Sequence, residues 1–191
     1  FEQLQTRVNL LANALASMGV GCGDRVAILE VNTDRYIEAY FATAKLDAVF
    51  VPLNFRARAE ELAYMINDAT PKVVLAGSRY ADLIKSFTDD IECVDHFISF
   101  EGEITGWKSY ESMIKKACAE ELLFPKADDA DLTVLMFTAG TTGFPKGVML
   151  THESFSSYIL TNVSPADPTI EERNILTVPL YHIAGIQTAL S

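Results

Sequence analysis

The chain has 191 residues, of which 49% are hydrophobic and 21% charged, a composition typical of a folded domain with a sizeable core. Its formal net charge of −11 argues against nucleic acid or an anionic membrane as a partner, and no apolar run is long enough to span a membrane. Cys22, Cys93 and Cys118 lie far apart with no C-x-x-C pair, which argues against a disulfide framework or zinc site and predicts small apolar packing roles in a reducing compartment.

Helical and strand patterns alternate through the first hundred residues. Apolar residues at spacings of three and four predict a helix over residues 4–18, ended by Gly19. Asn32, Thr33 and Asp34 offer caps for a helix that runs to residue 44. Short apolar strands are predicted at residues 25–29, 49–51, 72–75 and 93–98, with further helices around residues 62–66 and 80–87. These features predict an α/β fold, a layered and mostly parallel sheet with helices on both faces.

The pattern weakens between residues 100 and 131, where surface loops are predicted around one helix at residues 110–116. Strand character resumes at residues 131–137 and leads into FTAGTTGFPKG at residues 137–147. A second strand is predicted at residues 148–150, and Thr151 is predicted to cap a helix that begins at His152. We expect a structural role for His96.

The stretch FTAGTTGFPKG has the ingredients of a phosphate-binding loop without being a Walker A loop. Walker A requires G-x-x-x-x-G-K-[ST], whereas here Pro145 precedes Lys146 and Gly147 follows it. Glycines allow backbone N–H groups to converge on an anion, threonine hydroxyls add donors, and Lys146 supplies a cation on a flexible stem. A turn that joins two strands and binds nothing is the alternative, because such residues are also common in turns.

The same string resembles the signature [ST]-[ST]-G-[ST]-[ST]-G-x-P-K-G of the adenylate-forming enzymes, which include acyl-CoA synthetases, firefly-type luciferases and the adenylation domains of peptide synthetases. Ala139 departs from it, because the family often has serine or threonine there, and one hydroxyl donor is therefore absent. PLYHIAG at residues 179–185 resembles the family's P-L-[FY]-H-x-x-G motif. Residues 10–28 and 48–54 resemble earlier segments of the family, with Asp47 where glycine is common.

The resemblance implies a set of site residues. Lys146 and His182 are the implied catalytic residues, Lys146 toward the ATP phosphates and His182 as an orienting or gating group beside the acyl and adenylate pocket. A hydrogen-bonded structural histidine at a strand–helix junction is the alternative for His182. Thr141 is also the implied contact for Mg²⁺. The implied ATP-binding residues are Thr138, Ala139, Gly140, Thr141, Thr142, Gly143 and Lys146.

The resemblance also implies a reaction in fatty acid metabolism or the activation of aryl acids. Such a ligase joins a carboxylic acid to ATP, forms an acyl-adenylate and pyrophosphate, and transfers the acyl group to coenzyme A. The implied cofactors and partners are ATP, Mg²⁺, coenzyme A and the acid, in the cytoplasm, with no nucleic acid and no membrane span. A homodimer is the assembly that we expect.

Both ends of the chain interrupt a pattern, so we expect residues 1–191 to be an incomplete N-terminal ATP- and acyl-binding domain, inactive alone and without the C-terminal domain. A surface-loop boundary is expected near residues 100–130. Two other functions stay open: an adenylation domain that loads a carrier-protein thiol, and a non-catalytic α/β nucleotide-binding module.

Overall fold

The structure, a computed structural model, describes residues 1–121, 123–138, 143–164 and 175–190. Within these ranges seven strands form one sheet in the order β5-β4-β3-β1-β2-β6-β7. The strands are β1 (Arg25–Leu29), β2 (Val49–Pro52), β3 (Val73–Ala76), β4 (His96–Ser99), β5 (Lys108–Ser109), β6 (Leu132–Thr138) and β7 (Lys146–Thr151). The helices are α1 (Glu2–Ser17), α2 (Asp34–Ala44), α3 (Ala59–Ala69), α4 (Ala81–Lys85), α5 (Tyr110–Ile114), α6 (His152–Asn162) and α7 (Ile183–Leu190).

The sheet is parallel except at one edge. Each pair of neighbouring strands from β5 to β6 is parallel, whereas β7 runs antiparallel to β6. Strand β1 lies centrally, with β2 on one side and β3 on the other. The α/β fold with a mostly parallel sheet is therefore confirmed, and the antiparallel pair is an edge addition of a kind common in such sheets.

Side chains of the sheet pack on both faces. In β1, Val26 and Ile28 belong to a buried cluster shared with helices α1, α2 and α5, while Ala27 and Leu29 belong to a second cluster shared with α3 and α4. This alternation follows from the two-residue period of a strand, and it requires an apolar residue at every position when both faces are covered. The prediction of helices on both faces is confirmed.

Local signals account for the element ends that the sequence predicts well. Gly19 has a φ of 83° beyond the end of α1, a left-handed conformation that glycine adopts without strain. The Thr33 hydroxyl accepts a hydrogen bond from the backbone N–H of Tyr36 at 3.3 Å and caps α2. Thr151 caps α6 in the same way, by accepting from the Ser154 N–H.

Three predictions differ from the structure. The helix predicted at residues 80–87 is a 3₁₀ turn at Ser78–Tyr80 followed by the five-residue α4. The fourth strand begins at His96 rather than residue 93, because the preceding residues form bends. Cys22 and Cys118 are exposed in loops after α1 and α5, so the prediction of buried packing roles is wrong for these two cysteines. No helix of the described ranges is long and apolar enough to cross a membrane.

Candidate functional site

Both predicted motifs lie where the parallel strands end. Strands β1, β2 and β6 are parallel, so their carboxyl ends meet at one edge of the sheet, and β6 ends there at Thr138. We call this the carboxyl edge. In open α/β sheets ligands bind in the crevice outside this edge, because the loops that follow the strands converge there.

The Gly/Thr stretch connects the two strands of a β-hairpin. Thr138, the last residue of β6, pairs with Lys146, the first residue of β7, and the Thr138 hydroxyl donates to the Lys146 carbonyl oxygen at 3.5 Å. Gly143, within the connection, has a φ of 120°, in the region that favours glycine. Four predicted ATP-binding residues lie outside the described residues: Ala139, Gly140, Thr141 and Thr142.

Lys146 presents a cation to solvent at the start of β7. Its side chain is exposed, and it forms no ion pair with any residue in the described ranges. The next residue, Gly147, lies against Leu135 of β6, and a Cβ at Gly147 would be 3.0 Å from Leu135 Cδ1. The glycine allows β6 and β7 to approach closely. Because Lys146 has no carboxylate partner among the described residues, its ammonium group is available to an anion.

Phe144, between Gly143 and Lys146, contacts a helix across the site. Its ring stacks on Tyr64 of α3, with the ring centroids 4.7 Å apart and the planes inclined by 25°. Phe144 is nevertheless 64% exposed. Among the residues that the structure describes, this aromatic pair connects the predicted phosphate loop to α3.

Asn32 holds the segment that carries the second motif. Its side-chain N–H groups donate to the carbonyl oxygens of Leu176 at 3.2 Å and Val178 at 2.8 Å, and its Oδ1 accepts from the Leu180 N–H at 2.9 Å. Because Asn32 follows β1, these three hydrogen bonds place residues 176–180 at the carboxyl edge. Asn32 was assigned above only to helix capping, so its second function escaped the sequence analysis.

His182 lies just before α7 with its imidazole exposed. Its ring is tilted against Tyr181, with centroids 4.1 Å apart, and Tyr181 makes an edge-to-face contact with Phe55. Residues 175–182 contain no strand, and the imidazole has no hydrogen bond to the residues the structure describes. The described residues therefore do not show a hydrogen-bonded histidine at a strand–helix junction, and the function of His182 stays a prediction.

Gly185 explains the glycine of the second motif. A Cβ at Gly185 would lie 2.7 Å from the Pro179 carbonyl carbon and 3.0 Å from Leu180 Cα, both backbone atoms that cannot move aside easily. The Gly185 N–H donates to the His182 carbonyl oxygen at 2.9 Å and closes the first turn of α7. The glycine thus permits the tight turn that presents His182.

The two motifs both contact the segment at residues 55–64. Phe55, just after β2, contacts Tyr181, and Tyr64 of α3 contacts Phe144. Within the described residues, no contact joins Lys146 to His182. Neither aromatic residue was singled out from the sequence, because a contact across eighty or more residues leaves no local pattern in either segment.

A buried carboxyl group also lies at the carboxyl edge. Glu30, directly after β1, is 1% exposed, and burial raises the pKa of its carboxyl group. Its Oε1 accepts from the Val31 N–H at 2.7 Å, whereas its Oε2 has no hydrogen-bond partner in the part of the chain that the structure describes. The nearest cation is the exposed Arg79, whose Nε lies 3.7 Å from Oε1. This carboxyl group was also missed by sequence analysis.

Comparison with known proteins gives consistent relatives. The chain is 32% identical over 193 residues to the long-chain-fatty-acid–CoA ligase FadD13 of Mycobacterium tuberculosis, covering 100% of this chain and 37% of that protein. It is 33% identical over 186 residues to a feruloyl-CoA synthase of an Amycolatopsis species, covering 97% of this chain and 35% of the relative. The crystal structure of the inhibitor-bound N-terminal domain of FACL13 from Mycobacterium tuberculosis superposes with a TM-score of 0.85 at 31% identity, covering 99% of this chain and 46% of that one.

The chain thus spans little more than a third of the length of the curated relatives that it matches. The family model described as "AMP-binding enzyme" matches residues 1–191, the whole of the sequence. Together with the mostly parallel sheet and the two motifs at its carboxyl edge, this match shows that the chain belongs to the AMP-binding enzyme family.

Proposed function

We propose that the complete protein containing this chain is an ATP-dependent acyl-CoA ligase. It activates a carboxylic acid as an acyl-adenylate, with release of pyrophosphate, and transfers the acyl group to coenzyme A. The observation that carries this proposal is the β6–β7 hairpin, which presents Lys146 opposite Thr138 at the carboxyl edge of an AMP-binding fold. The fatty-acid and feruloyl ligases among the relatives support an acid–thiol ligase.

The hairpin carries a cation and hydrogen-bond donors of the kind that the first step needs. An anionic carboxylate must attack an already anionic triphosphate, so cations and N–H or O–H donors are needed around the leaving pyrophosphate. Lys146 supplies a cation that no carboxylate among the described residues pairs with, and the Thr138 hydroxyl lies at the other end of the same connection. Backbone N–H groups of the glycine-rich stretch would add further donors.

The residues of this hairpin also fit a magnesium–triphosphate complex. Mg²⁺ keeps several waters and is usually bound through one or two carboxylates plus substrate phosphates, and a hydroxyl such as that of Thr141 would add one oxygen to this set. The ion would neutralise charge on the triphosphate. The assignment of Thr141, like those of Ala139, Gly140 and Thr142, stays a prediction from the sequence.

We assign His182 to orienting or gating the acyl group. Its exposed imidazole lies at the start of α7, directly after residues that Asn32 holds at the carboxyl edge. Without a carboxylate partner to set its tautomer among the described residues, it lacks the arrangement expected of a general base.

Broader assignments follow from this reaction. Because Cys22, Cys93 and Cys118 are free thiols, which fits a reducing compartment, we place the protein in the cytoplasm. We also infer that the chain is part of a large N-terminal domain and is inactive alone. The loop boundary near residues 100–130 and a homodimer stay predictions.

The proposal is tested by pyrophosphate exchange. The complete protein, supplied with ATP, Mg²⁺ and a panel of short, long and aromatic acids, should exchange labelled pyrophosphate into ATP only when its acid is present. Addition of coenzyme A should then yield the thioester. Exchange without thioester, restored by a carrier protein, would favour the carrier-loading alternative, and nucleotide binding without exchange would favour the non-catalytic module.

A further inference from the structure

We propose that Tyr64 is a positioning residue for Lys146, acting through the ring of Phe144. The proposal rests on the function assigned to Lys146 above. The stacked pair Tyr64–Phe144 is the ring contact of the predicted phosphate loop with the rest of the molecule, and no enclosing core fixes Phe144, which is 64% exposed. An aromatic pair of this geometry contributes about 0.5–1.5 kcal/mol beyond the area that it buries.

Tyr64 is on the fixed side of this pair. Its neighbours Leu62, Met65 and Ile66 in α3 are at most 2% exposed and pack against one face of the sheet. The first turn of α3 is closed by the Glu61 carboxylate, which accepts from the Arg58 N–H at 2.9 Å. The Tyr64 ring therefore has a defined place relative to the sheet.

The backbone connects the Phe144 ring closely to Lys146. Gly143 precedes Phe144 with a φ of 120°, and Pro145 follows it. Proline fixes its own φ and restricts the residue before it to extended conformations, so few backbone paths lead from Phe144 to Lys146. We therefore expect a displacement of the Phe144 ring to shift the backbone of Lys146 where β7 begins.

On its other side Lys146 is held by strand pairing with Thr138. Its side chain has no ion pair among the described residues that would direct it. The strand pairing and the Tyr64–Phe144 stack therefore define the backbone at Lys146 from opposite sides, and this backbone sets the region that the flexible side chain can reach.

Trypsin cleavage after Lys146 tests the positioning directly in the complete protein. We expect Tyr64→Ala to raise the rate of cleavage between Lys146 and Gly147 about two- to tenfold, the range of an aromatic pair energy, and Tyr64→Phe to match the wild type. Cleavage after Arg25, which pairs with Val49 in the central strand β1, reports global opening in the same digest and should not change. The exposed Tyr158, replaced by alanine, is the matched control. Equal cleavage of Tyr64→Ala and Tyr64→Phe after Lys146 would overturn the proposal.

A binding cycle with inorganic pyrophosphate separates positioning from general structural support. Tyr64→Ala should weaken pyrophosphate binding about two- to tenfold, and it should have no further effect in a Lys146→Ala background. The same loss in both backgrounds would show that Tyr64 does not act through Lys146 and would overturn the proposal. A complete wild-type protein that does not bind pyrophosphate would contradict the proposed function, whereas the cleavage result decides the position of Tyr64 independently.

Discussion

The carboxyl group of Glu30 occupies the place of the side chain that Gly77 lacks. A Cβ on Gly77 would lie 2.7 Å from Glu30 Cδ, and the unpartnered Oε2 is closer still. Glu30 follows β1 and Gly77 follows the adjacent β3, so the two residues face each other across neighbouring strand ends. The glycine is required by this contact and not by its own backbone angles.

Replacement of Gly77 by alanine should destabilise the fold by about 1–3 kcal/mol, the usual effect of overpacking a buried site. The stability can be followed by urea unfolding with the fluorescence of Trp107, which stacks on Phe97. Gly21→Ala is the matched control, because a Cβ at Gly21 meets nothing within 4 Å.

The double variant Glu30→Ala/Gly77→Ala should be more stable than Gly77→Ala alone, because the clash is removed with the carboxyl group. Additive effects of the two substitutions would contradict the steric explanation.

Stability should fall as the pH rises through the titration of Glu30. Burial raises the pKa of this carboxyl group above the ordinary value of 4.5, so the folded protein binds its proton more tightly than the unfolded chain does. The loss of stability is absent below the pKa of the unfolded chain. It is complete once the pH has risen through the pKa of the folded protein. The unfolding free energy of Glu30→Gln should therefore exceed that of the wild type by about 1 kcal/mol at neutral pH.

The advantage of Glu30→Gln should shrink toward pH 4, because both side chains are then uncharged. Arg79, Arg35 and Glu101 also act on the Glu30 charge, and Glu101 opposes ionisation. Glu103→Gln provides the comparison for an exposed carboxyl group. A difference between Glu30→Gln and wild type that does not vary with pH would refute the assignment.

Loss of the Lys146 charge should affect one half-reaction more than the other. In the complete protein we expect Lys146→Ala to reduce acid-dependent pyrophosphate exchange about 100-fold, the scale of removing one transition-state donor. Transfer from preformed acyl-adenylate to coenzyme A should change much less, because no pyrophosphate leaves in that step. The exposed Lys115, replaced by alanine, controls for net charge, and equal losses in both half-reactions would indicate a structural role for Lys146.

Asn32 should be needed to keep the second motif in place. Asn32→Ala removes two donors and one acceptor that residues 176–180 use, and we expect a loss of about 1–3 kcal/mol in unfolding free energy. Hydrogen exchange should accelerate at the Leu180 N–H before other sites. Asn162→Ala, which removes one local contact at the end of α6, is the control.

The sequence predicts the parts of this fold that short-range physics decides. The all-apolar strands, the Thr33 and Thr151 caps and the left-handed Gly19 each depend on residues a few positions apart. The relation of Glu30 to Gly77 and that of Tyr64 to Phe144 depend on which strands become neighbours. Such pairs join segments distant in the chain, so no local period reveals them.

The site shows the same division. The family signature identifies Lys146 and His182 without any knowledge of their surroundings. The residues that hold the two motif segments, Asn32, Phe55 and Tyr64, belong to the first third of the chain, and their own neighbours in sequence give them ordinary functions. The residues that support a site are thus the ones that are hardest to predict from a single sequence.

The placement of the β6–β7 hairpin has a consequence for how the protein forms. Strands β1 to β4 pair within the first hundred residues, whereas β6 joins the sheet through the pairing of Phe50 with Val134, which are far apart in the chain. Closing so long a loop is slow, while the hairpin itself needs only nearby residues. During synthesis the first four strands can therefore assemble before the hairpin emerges from the ribosome. The edge of β2 then stays unpaired until β6 is made, so the proposed phosphate-binding hairpin joins the sheet after the first four strands.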